Sequence, residues 1–338
     1  MARRRAFPLL PSVFGAAFNR SASSFGMATL RAGTRILKAA AKKKAVERKA
    51  AAGTGSWIAG VAFGPAGPRA YRLFRPPQIG FAERLPLLVM LHGCGQTATG
   101  FAASTRMNRI AGRQRFLALY PEQDRGANAG GCWNWFETRS GRAHAEAETI
   151  LAAIDQVLLL YPADRGRVAL AGMSAGASMS ALLASRAPER FRAVVMHSGI
   201  PPGVANSTLS AMSAMRGGRR IAADVGAGGA LPPLLVIHGT DDRVVAAENG
   251  RAAALAWAEA GAGQAGVSRL VQRGLRRAMT VTEYKARRQT VATLCEVDGL
   301  GHAWSGGDEK QPFGDAGGPD ASRLAWAFIA RQFARLDT

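Results

Sequence analysis

Cysteines, aromatic side chains and long apolar runs are all scarce in this sequence of 338 residues. The three cysteines, Cys94, Cys132 and Cys295, are too few for a disulfide-rich scaffold and show no C-x-x-C metal spacing. No apolar run approaches the roughly 20 residues of a membrane-spanning helix. Aromatic residues make up 7% while glycine occurs 40 times, a mixture typical of an α/β protein rather than a β-sandwich or a coiled coil.

Acidic residues are also few, with 23 Asp and Glu against 44 Lys and Arg, so the net charge is +21. Residues 1–50 hold twelve of the basic residues and a single acid, Glu47. A second basic cluster is formed by Arg269, Arg273, Arg276, Arg277, Lys285, Arg287 and Arg288. We interpret the two clusters as a solvated tail and one basic face, and expect no specific nucleic-acid site. A dedicated site for polyanions, such as membranes, granule coats or nucleic acid, is the alternative.

The chain divides by composition into a basic tail over residues 1–52 and one larger domain over 53–338. Arg4-Arg5-Ala6-Phe7 weakly resembles a twin-arginine export signal, but Pro8 and Pro11 interrupt the apolar stretch after it. A disordered basic arm or an upstream misassigned start is the alternative interpretation. An amphipathic helix is expected around 27–50.

Beyond residue 55 the hydrophobic pattern predicts strands that alternate with helices. Strands are expected at Ser56–Phe63, Ala70–Phe74, Leu85–Leu91, Phe116–Tyr120, Arg167–Ala171, Ala193–His197, Leu234–His238, Thr280–Tyr284 and Thr290–Val297. Helices are expected at Ser104–Gln114, Glu146–Leu160, Ala175–Ser185, Ala246–Ala260 and Ser322–Leu336. This alternation predicts βαβ units, a mostly parallel sheet with helices on both faces, and reactive groups beyond the carboxyl ends of its strands.

A Gly-x-Ser-x-Gly motif, Gly172 to Gly176, directly follows one predicted strand and opens a predicted helix. That setting is the one a nucleophile elbow requires, because the turn holds its serine in a strained conformation between glycines that avoid Cβ clashes. Ser174 is therefore the candidate nucleophile. A tight turn whose serine merely caps the helix is the alternative.

A serine nucleophile needs a base, and in the elbow-bearing fold the acid and then the histidine follow the serine in sequence. His238 falls inside a predicted strand, which leaves His302 in the glycine-flanked loop after Thr290–Val297 as the base. The acid is expected just after His238, where the pattern H-G-x-x-D-x-x-V favours Asp242. Asp241 is then a turn or cap residue.

The oxyanion of an acyl-transfer intermediate needs two backbone N–H donors. One is expected from Ala175, directly after the nucleophile, and the other from Cys94 in the loop after Leu85–Leu91. Gly93 would allow a close approach, and His92 is expected to orient the loop rather than to catalyse. This chemistry requires no metal and no organic cofactor.

With these motifs in place, the chain resembles the short-chain polyhydroxyalkanoate depolymerase and esterase family of the α/β-hydrolase superfamily. The resemblance covers about residues 70–330. It rests on L-H-G-C-G-Q (91–96), T-R-M-N (105–108), L-Y-P-E-Q (119–123), C-W-N-W-F (132–136), A-G-M-S-A-G (171–176), H-S-G (197–199) and G-L-G-H-A-W-S-G-G (299–307).

The resemblance implies a serine esterase that cleaves 3-hydroxyalkanoate oligomers or polymer. It implies a bridge between Cys94 and Cys132 with Cys295 left free, and an apolar acyl site walled by Trp133, Trp135 and Trp304. It also implies an extracellular protein, with the cytoplasm as the alternative because no clear signal peptide is present. Since the sequence ends soon after the last predicted helix, soluble oligomers, amorphous granules or short esters are expected rather than crystalline polymer. Acetyl or feruloyl esters of polysaccharide, and a non-catalytic binding protein on a hydrolase scaffold, are the alternatives.

Overall fold

The computed structural model describes residues 54–218, 225 and 230–336. The predicted basic tail, the resemblance to an export signal and the helix around 27–50 therefore lie outside the described residues. Within the described ranges, no helix has both the length and the apolar character needed to cross a bilayer.

The described part of the chain contains thirteen strands and seven α-helices. The strands are β1 (Ser56–Gly64), β2 (Gly67–Arg75), β3 (Leu85–Leu91), β4 (Leu117–Pro121), β5 (Ala163–Met173), β6 (Val194–His197), β7 (Leu234–Gly239), β8 (Gln264–Ala265), β9 (Arg269–Val271), β10 (Met279–Ala286), β11 (Gln289–Val297), β12 (Trp304–Ser305) and β13 (Gly314–Asp315). The helices are α1 (Ala98–Thr105), α2 (Met107–Gln114), α3 (Arg142–Leu160), α4 (Ala175–Arg186), α5 (Thr208–Met215), α6 (Glu248–Ala260) and α7 (Ala321–Ala334).

Eleven strands form one sheet in the order β1-β2-β4-β3-β5-β6-β7-β11-β10-β8, with β9 also paired to β10. The pairs from β4 through β3, β5, β6 and β7 to β11 are parallel, and antiparallel strands extend both edges. Strands β12 and β13 form a separate parallel pair. The predicted mostly parallel sheet is therefore confirmed.

The core lies in two layers because the central strands bury both faces. In β3, Leu87, Val89 and Leu91 belong to one layer, and Leu88 and Met90 to the other. The first layer packs against α3, α4 and α6, and the second against α1, α2 and α7. A strand that is covered on both faces needs a continuous apolar sequence, and β3 has one.

The prediction of one continuous helix over Ser104–Gln114 is wrong, because the chain forms two helices that meet at Arg106. Arg106 adopts the left-handed conformation (φ 54°), and its N–H donates to Ala102 O, so the chain ends α1 there and starts α2 in a new direction. Helix α5 was not predicted from the sequence, since it is only eight residues long. The predicted strands Thr280–Tyr284 and Thr290–Val297 pair with each other as an antiparallel hairpin, β10 with β11.

Candidate active site

Ser174 lies on a strained turn between β5 and α4. Its backbone has φ 54° and ψ −123°, and its N–H donates to His197 O at the end of β6 (2.9 Å). A residue other than glycine rarely adopts a positive φ unless its surroundings enforce it. Among the described residues, no hydrogen bond engages the Ser174 hydroxyl, so it can rotate toward a base or a substrate.

The two glycines of the motif are required by backbone contacts. A Cβ on Gly172 would stand 2.3 Å from Gly176 O, and one on Gly176 would stand 2.1 Å from Leu91 O. Both contacts are far inside van der Waals distance. Glycine therefore lets the helix start directly against β5 and β3, which sharpens the turn under Ser174.

Asp242 is held by the turn after β7 and faces His302. Its Oδ1 accepts hydrogen bonds from Val244 N (3.0 Å) and Val245 N (2.9 Å), and its Oδ2 is 2.8 Å from His302 Nδ1. Asp241 is exposed and contacts Thr240 instead. Of the two carboxylates considered from sequence, Asp242 is the one that the structure brings to the histidine.

The environment keeps Asp242 ionised. Burial alone would raise the pKa of this carboxyl, but hydrogen bonds from His238 and His302, the charge of His302 and the Val245 N–H together lower the pKa well below its usual range. With a carboxylate at Oδ2, the proton of a neutral His302 lies on Nδ1, and Nε2 keeps a lone pair. Nε2 is the atom that a general base uses.

The loops that carry the acid and the histidine are tied together. Gly299 N donates to Thr240 Oγ1 (2.9 Å), and Asp241 N donates to Leu300 O (3.1 Å). A Cβ on Gly239 would stand 2.0 Å from Leu300 O, which explains the glycine that follows His238. These contacts fix the Asp242–His302 pair at the carboxyl edge of β7 and β11.

Two unpaired N–H groups lie beside the nucleophile. No hydrogen bond within the described residues uses the N–H of Cys94 or of Ala175. A Cβ built on Gly93 would be 3.4 Å from Ser174 Cβ, so the Cys94 loop lies directly against the nucleophile. Ala175 is the first residue of α4, where N–H groups point outward and the helix dipole favours negative charge. This arrangement can hold an oxyanion.

The Cys94 loop is fastened from two sides. Cys94 and Cys132 form a disulfide, and Gly95 N donates to Gly130 O (2.8 Å), so the expected bridge is confirmed. Cys295 is free and buried, also as expected, and burial raises the pKa of its thiol to about 12.

His92 lies behind the same loop and holds it through hydrogen bonds as a neutral imidazole. Burial lowers the pKa of His92 to about 4, against a smaller raising effect of its hydrogen bond to Gly93 O. The ring accepts a hydrogen bond from Gln123 N at Nε2 (3.0 Å) and lies 2.8 Å from Gly93 O at Nδ1, and Trp133 Nε1 donates to His92 O (3.1 Å). Neutral imidazole satisfies both ring contacts at once.

A buried polar cluster, which we call the Glu146 cluster, underlies the Cys132 side of the loop. It consists of Arg69, Gln123, Asn134 and Glu146. Glu146 accepts hydrogen bonds from Gln123 Nε2 (2.8 Å), Asn134 N (2.9 Å) and Asn134 Nδ2 (2.6 Å). Gln123 also donates to Cys132 O (2.9 Å) and accepts from Arg69, whose guanidinium lies over the Trp133 ring. The sequence does not reveal this cluster, because its members are far apart in the chain.

An apolar cavity of about 280 Å³ opens beside Ser174. Trp133 and Trp135 line it together with the two candidate oxyanion residues, as do Phe136, Ile200, Ala211, Met212, Met215 and Val245. The contribution of α5 was not predicted. Its signal in the sequence is the run T-L-S-A-M-S-A-M, which repeats Met at a spacing of three.

Trp304 does not line this cavity. It is fully buried, stacks on His197 at 4.9 Å, meets Phe101 edge-on at 5.5 Å and donates to Ser322 Oγ (3.0 Å). The adjacent Ser305 N donates to His197 Nε2 (3.1 Å). Trp304 therefore anchors the chain just after His302 instead of contacting an acyl group.

Comparisons with known proteins find similarity to esterases. The family model described as esterase PHB depolymerase matches residues 69–262. Poly(3-hydroxyalkanoate) depolymerase C of Paucimonas lemoignei is 33% identical over 193 residues, which cover 54% of this chain and 46% of that protein. Feruloyl esterase B of Neurospora crassa is 31% identical over 121 residues (35% and 40%), and acetylxylan esterase A of Emericella nidulans is 28% identical over 139 residues (38% and 44%). The chain spans less than half the length of each of these three relatives.

Among solved structures, an acetyl xylan esterase from Aspergillus awamori is similar with a TM-score of 0.61 and 20% identity. The match covers 73% of this chain and 94% of that one. At this identity the likeness shows the fold alone, and the predicted α/β-hydrolase fold is confirmed.

Proposed function

The chain belongs to the esterase PHB depolymerase family of carboxylic ester hydrolases, and from this premise we propose that it cleaves esters of 3-hydroxyalkanoates through an acyl-enzyme on Ser174. The observation that carries the proposal is the 2.8 Å contact between His302 Nδ1 and Asp242 Oδ2 at the edge of the sheet where the Ser174 turn also lies.

In the acylation step, Ser174 Oγ attacks the ester carbonyl carbon and His302 Nε2 accepts the hydroxyl proton. Asp242 stabilises the imidazolium that forms. The carbonyl oxygen becomes an oxyanion that accepts hydrogen bonds from the N–H groups of Cys94 and Ala175. Collapse of this intermediate breaks the bond to the alcohol, and His302 returns the proton to the leaving oxygen.

In the deacylation step, water attacks the acyl carbon while His302 Nε2 accepts its proton. The same two N–H groups hold the second oxyanion. Its collapse breaks the bond to Ser174 Oγ, His302 returns the proton to that oxygen, and the carboxylic acid is released. The cycle consumes one water for each ester bond. Its groups all come from the chain itself.

The lining of the cavity beside Ser174 suits an aliphatic acyl group. Ile200, Met212, Met215 and Val245 surround it with flexible or branched apolar side chains, which suit the methyl-bearing backbone of a hydroxyalkanoate. Trp135 and Phe136, whose rings meet edge-on at 5.5 Å, favour a second candidate, because an aromatic pair can also stack on a feruloyl ring. Acetylated polysaccharide is the third member of this substrate set.

The experiment compares release of acid from hydroxybutyrate oligomers, amorphous polymer, feruloylated arabinose and acetylated xylan by the same enzyme preparation. We expect the highest kcat/KM on the hydroxybutyrate oligomers. A preference for the feruloyl or acetyl substrate would reject this substrate assignment. Ser174→Ala should abolish every activity, whereas Ser185→Ala, on the far end of the same helix, should leave each rate unchanged.

The disulfide supports an oxidising location outside the cytoplasm, since such bonds rarely persist among cytosolic reductants. Fractionation of the source cells, followed by thiol labelling without added reductant, tests this placement. A cytoplasmic protein with Cys94 and Cys132 both labelled would contradict it. Contact of the basic tail with anionic surfaces is part of the same proposal.

A further inference from the structure

A cleft of about 450 Å³ lies between α7 and the β9–β10 edge of the sheet, and no step of the proposed mechanism uses it. Five arginines line it, together with a single carboxylate, that of Asp320. The arginines are Arg273, Arg276, Arg277, Arg323 and Arg331. Val271, Met279 and Leu324 provide apolar surface between them. The cleft therefore has the sign of charge that attracts anions.

Neighbouring acids neutralise only part of this charge. Arg277 pairs with Asp315, and Arg323 pairs with Asp320, both at 3.3 Å. Arg276 donates to a neutral acceptor, Gly318 O (2.5 Å). In the described ranges, Arg273 and Arg331 form no ion pair. Three guanidinium groups in the cleft thus form no ion pair with a described carboxylate, although Arg331 is close enough to Glu283 to help lower the pKa of that carboxyl.

The positive surface continues onto α2. Two smaller clefts adjoin the first and share Arg323 with it. Arg113 lines both of them, and Arg109 lines one. Neither of these two arginines forms an ion pair with any described residue. We call the combined surface the arginine face, defined by Arg109, Arg113, Arg273, Arg276, Arg323 and Arg331.

An apolar side chain lies in the turn that carries two residues of the arginine face. Leu275 occupies the turn between β9 and β10, next to Gly274 (φ 58°), and its side chain is fully exposed. Arg273 and Arg276 flank it in the sequence. A fully exposed leucine between arginines is unfavourable in water. It suits contact with a partner whose surface has charged groups above an apolar layer.

We propose that the arginine face docks the enzyme on an anionic phospholipid bilayer. The guanidinium groups bind headgroup phosphates, for which their planar, bidentate geometry is suited, and Leu275 inserts among the acyl chains. Single-stranded nucleic acid fits less well, since such sites use exposed aromatic rings for base stacking. The aromatic ring in these clefts, Trp326, is 9% exposed and stacks on Phe116 at 3.8 Å within the described structure. The proposal holds whichever ester the enzyme cleaves.

The test is sedimentation of the full chain with sucrose-loaded vesicles of phosphatidylcholine, with and without phosphatidylglycerol. The face variant removes three arginines that have no ion pair in the described structure: Arg113→Gln, Arg273→Gln and Arg331→Gln. The matched control removes the same charge from exposed positions outside the arginine face and outside the second basic cluster: Arg84→Gln, Arg125→Gln and Arg139→Gln. Both variants keep the basic tail, and both should retain wild-type melting temperature and hydrolysis of p-nitrophenyl butyrate in solution.

Wild type should bind the vesicles that contain phosphatidylglycerol and not those of phosphatidylcholine alone. The face variant should lose at least about tenfold in partitioning, and the control less than about twofold, because only charges near the surface contribute. When Leu275→Trp is introduced into the wild-type protein, lipids brominated on their acyl chains should quench the fluorescence of this tryptophan. The same substitution in the face variant should show no such quenching.

Three outcomes would overturn the proposal. Equal losses in the two variants would assign binding to net charge or to the tail. Binding to phosphatidylcholine alone would remove the role of anionic headgroups. A larger loss of oligonucleotide binding than of vesicle binding in the face variant would identify the surface as a nucleic-acid site.

Discussion

Replacing Glu146 by Gln tests whether the Glu146 cluster holds the oxyanion loop. The carboxylate is fully buried and accepts three hydrogen bonds of 2.6–2.9 Å, all from N–H groups of Gln123 and Asn134. An amide of the same shape turns an NH₂ group toward at least one of those donors and removes the negative charge that favours the buried Arg69 guanidinium. Hydrogen bonds to charged groups contribute about 1.5–3 kcal/mol each, and breaking a buried charged set costs about 3–5 kcal/mol, so we expect a loss of about 3 kcal/mol.

The free energy of unfolding is measured by urea titration, and kcat/KM with p-nitrophenyl butyrate at a temperature where the variant is folded. We expect kcat/KM to fall about tenfold, since Gln123 and Asn134 would no longer fix the Cys132 segment behind the oxyanion donors. Glu148→Gln is the matched control on the same helix. Its carboxylate is half exposed and 3.8 Å from Arg186, so stability should change by less than about 1 kcal/mol.

The reasoning is refuted if the Glu146 and Glu148 variants unfold within about 1 kcal/mol of each other. It is equally refuted if Glu146→Gln is destabilised but keeps the wild-type kcat/KM, because the cluster would then stabilise the fold without positioning the loop.

Three further changes should be measurable. The free energy of unfolding, measured in urea titrations, should fall by about 4 kcal/mol between pH 8 and pH 5. Burial lowers the pKa of His92 to about 4 and that of His197 to about 3 in the folded protein. In the unfolded chain both histidines bind a proton near pH 6.5, so a fall in pH favours the unfolded chain. Reducing the Cys94–Cys132 bond should cost about 4 kcal/mol, since it closes a segment with a sequence separation of 38, as thermal melting with and without dithiothreitol would show. Gly176→Ala should prevent correct folding of the elbow, because its Cβ would stand 2.1 Å from a β3 carbonyl oxygen, and its yield of folded protein should fall sharply beside wild type.

The parts of the fold that follow a local pattern could be predicted from the sequence. The apolar run Leu85–Leu91 gave the bounds of β3 without error, because a strand buried on both faces tolerates little else. The Ser174 turn could be placed because strand, glycines and helix adjoin in the chain. Asp242 could be preferred over Asp241 because the spacing from His238 sets which carboxylate faces the neighbouring loop.

The rest depends on contacts between distant residues. Arg106 breaks the predicted helix by adopting a left-handed conformation that its residue type does not signal. Like Trp133 and Trp135, Trp304 lies beside a sequence motif. Its segment is nevertheless buried in the core, because Trp304 stacks on His197 and the adjacent Ser305 bonds to the same ring, 108 positions away. Glu146 looks like any polar residue near the start of a helix until Gln123 and Asn134 are placed around it.

The most direct test of the central claim is covalent labelling by a serine-directed organophosphate, followed by mass mapping of the modified peptide. The account predicts one phosphoryl group per chain, on Ser174, and a labelling rate that falls by several orders of magnitude in His302→Gln. Modification of Ser178 or of another serine in place of Ser174, or labelling of His302→Gln at the wild-type rate, would contradict it.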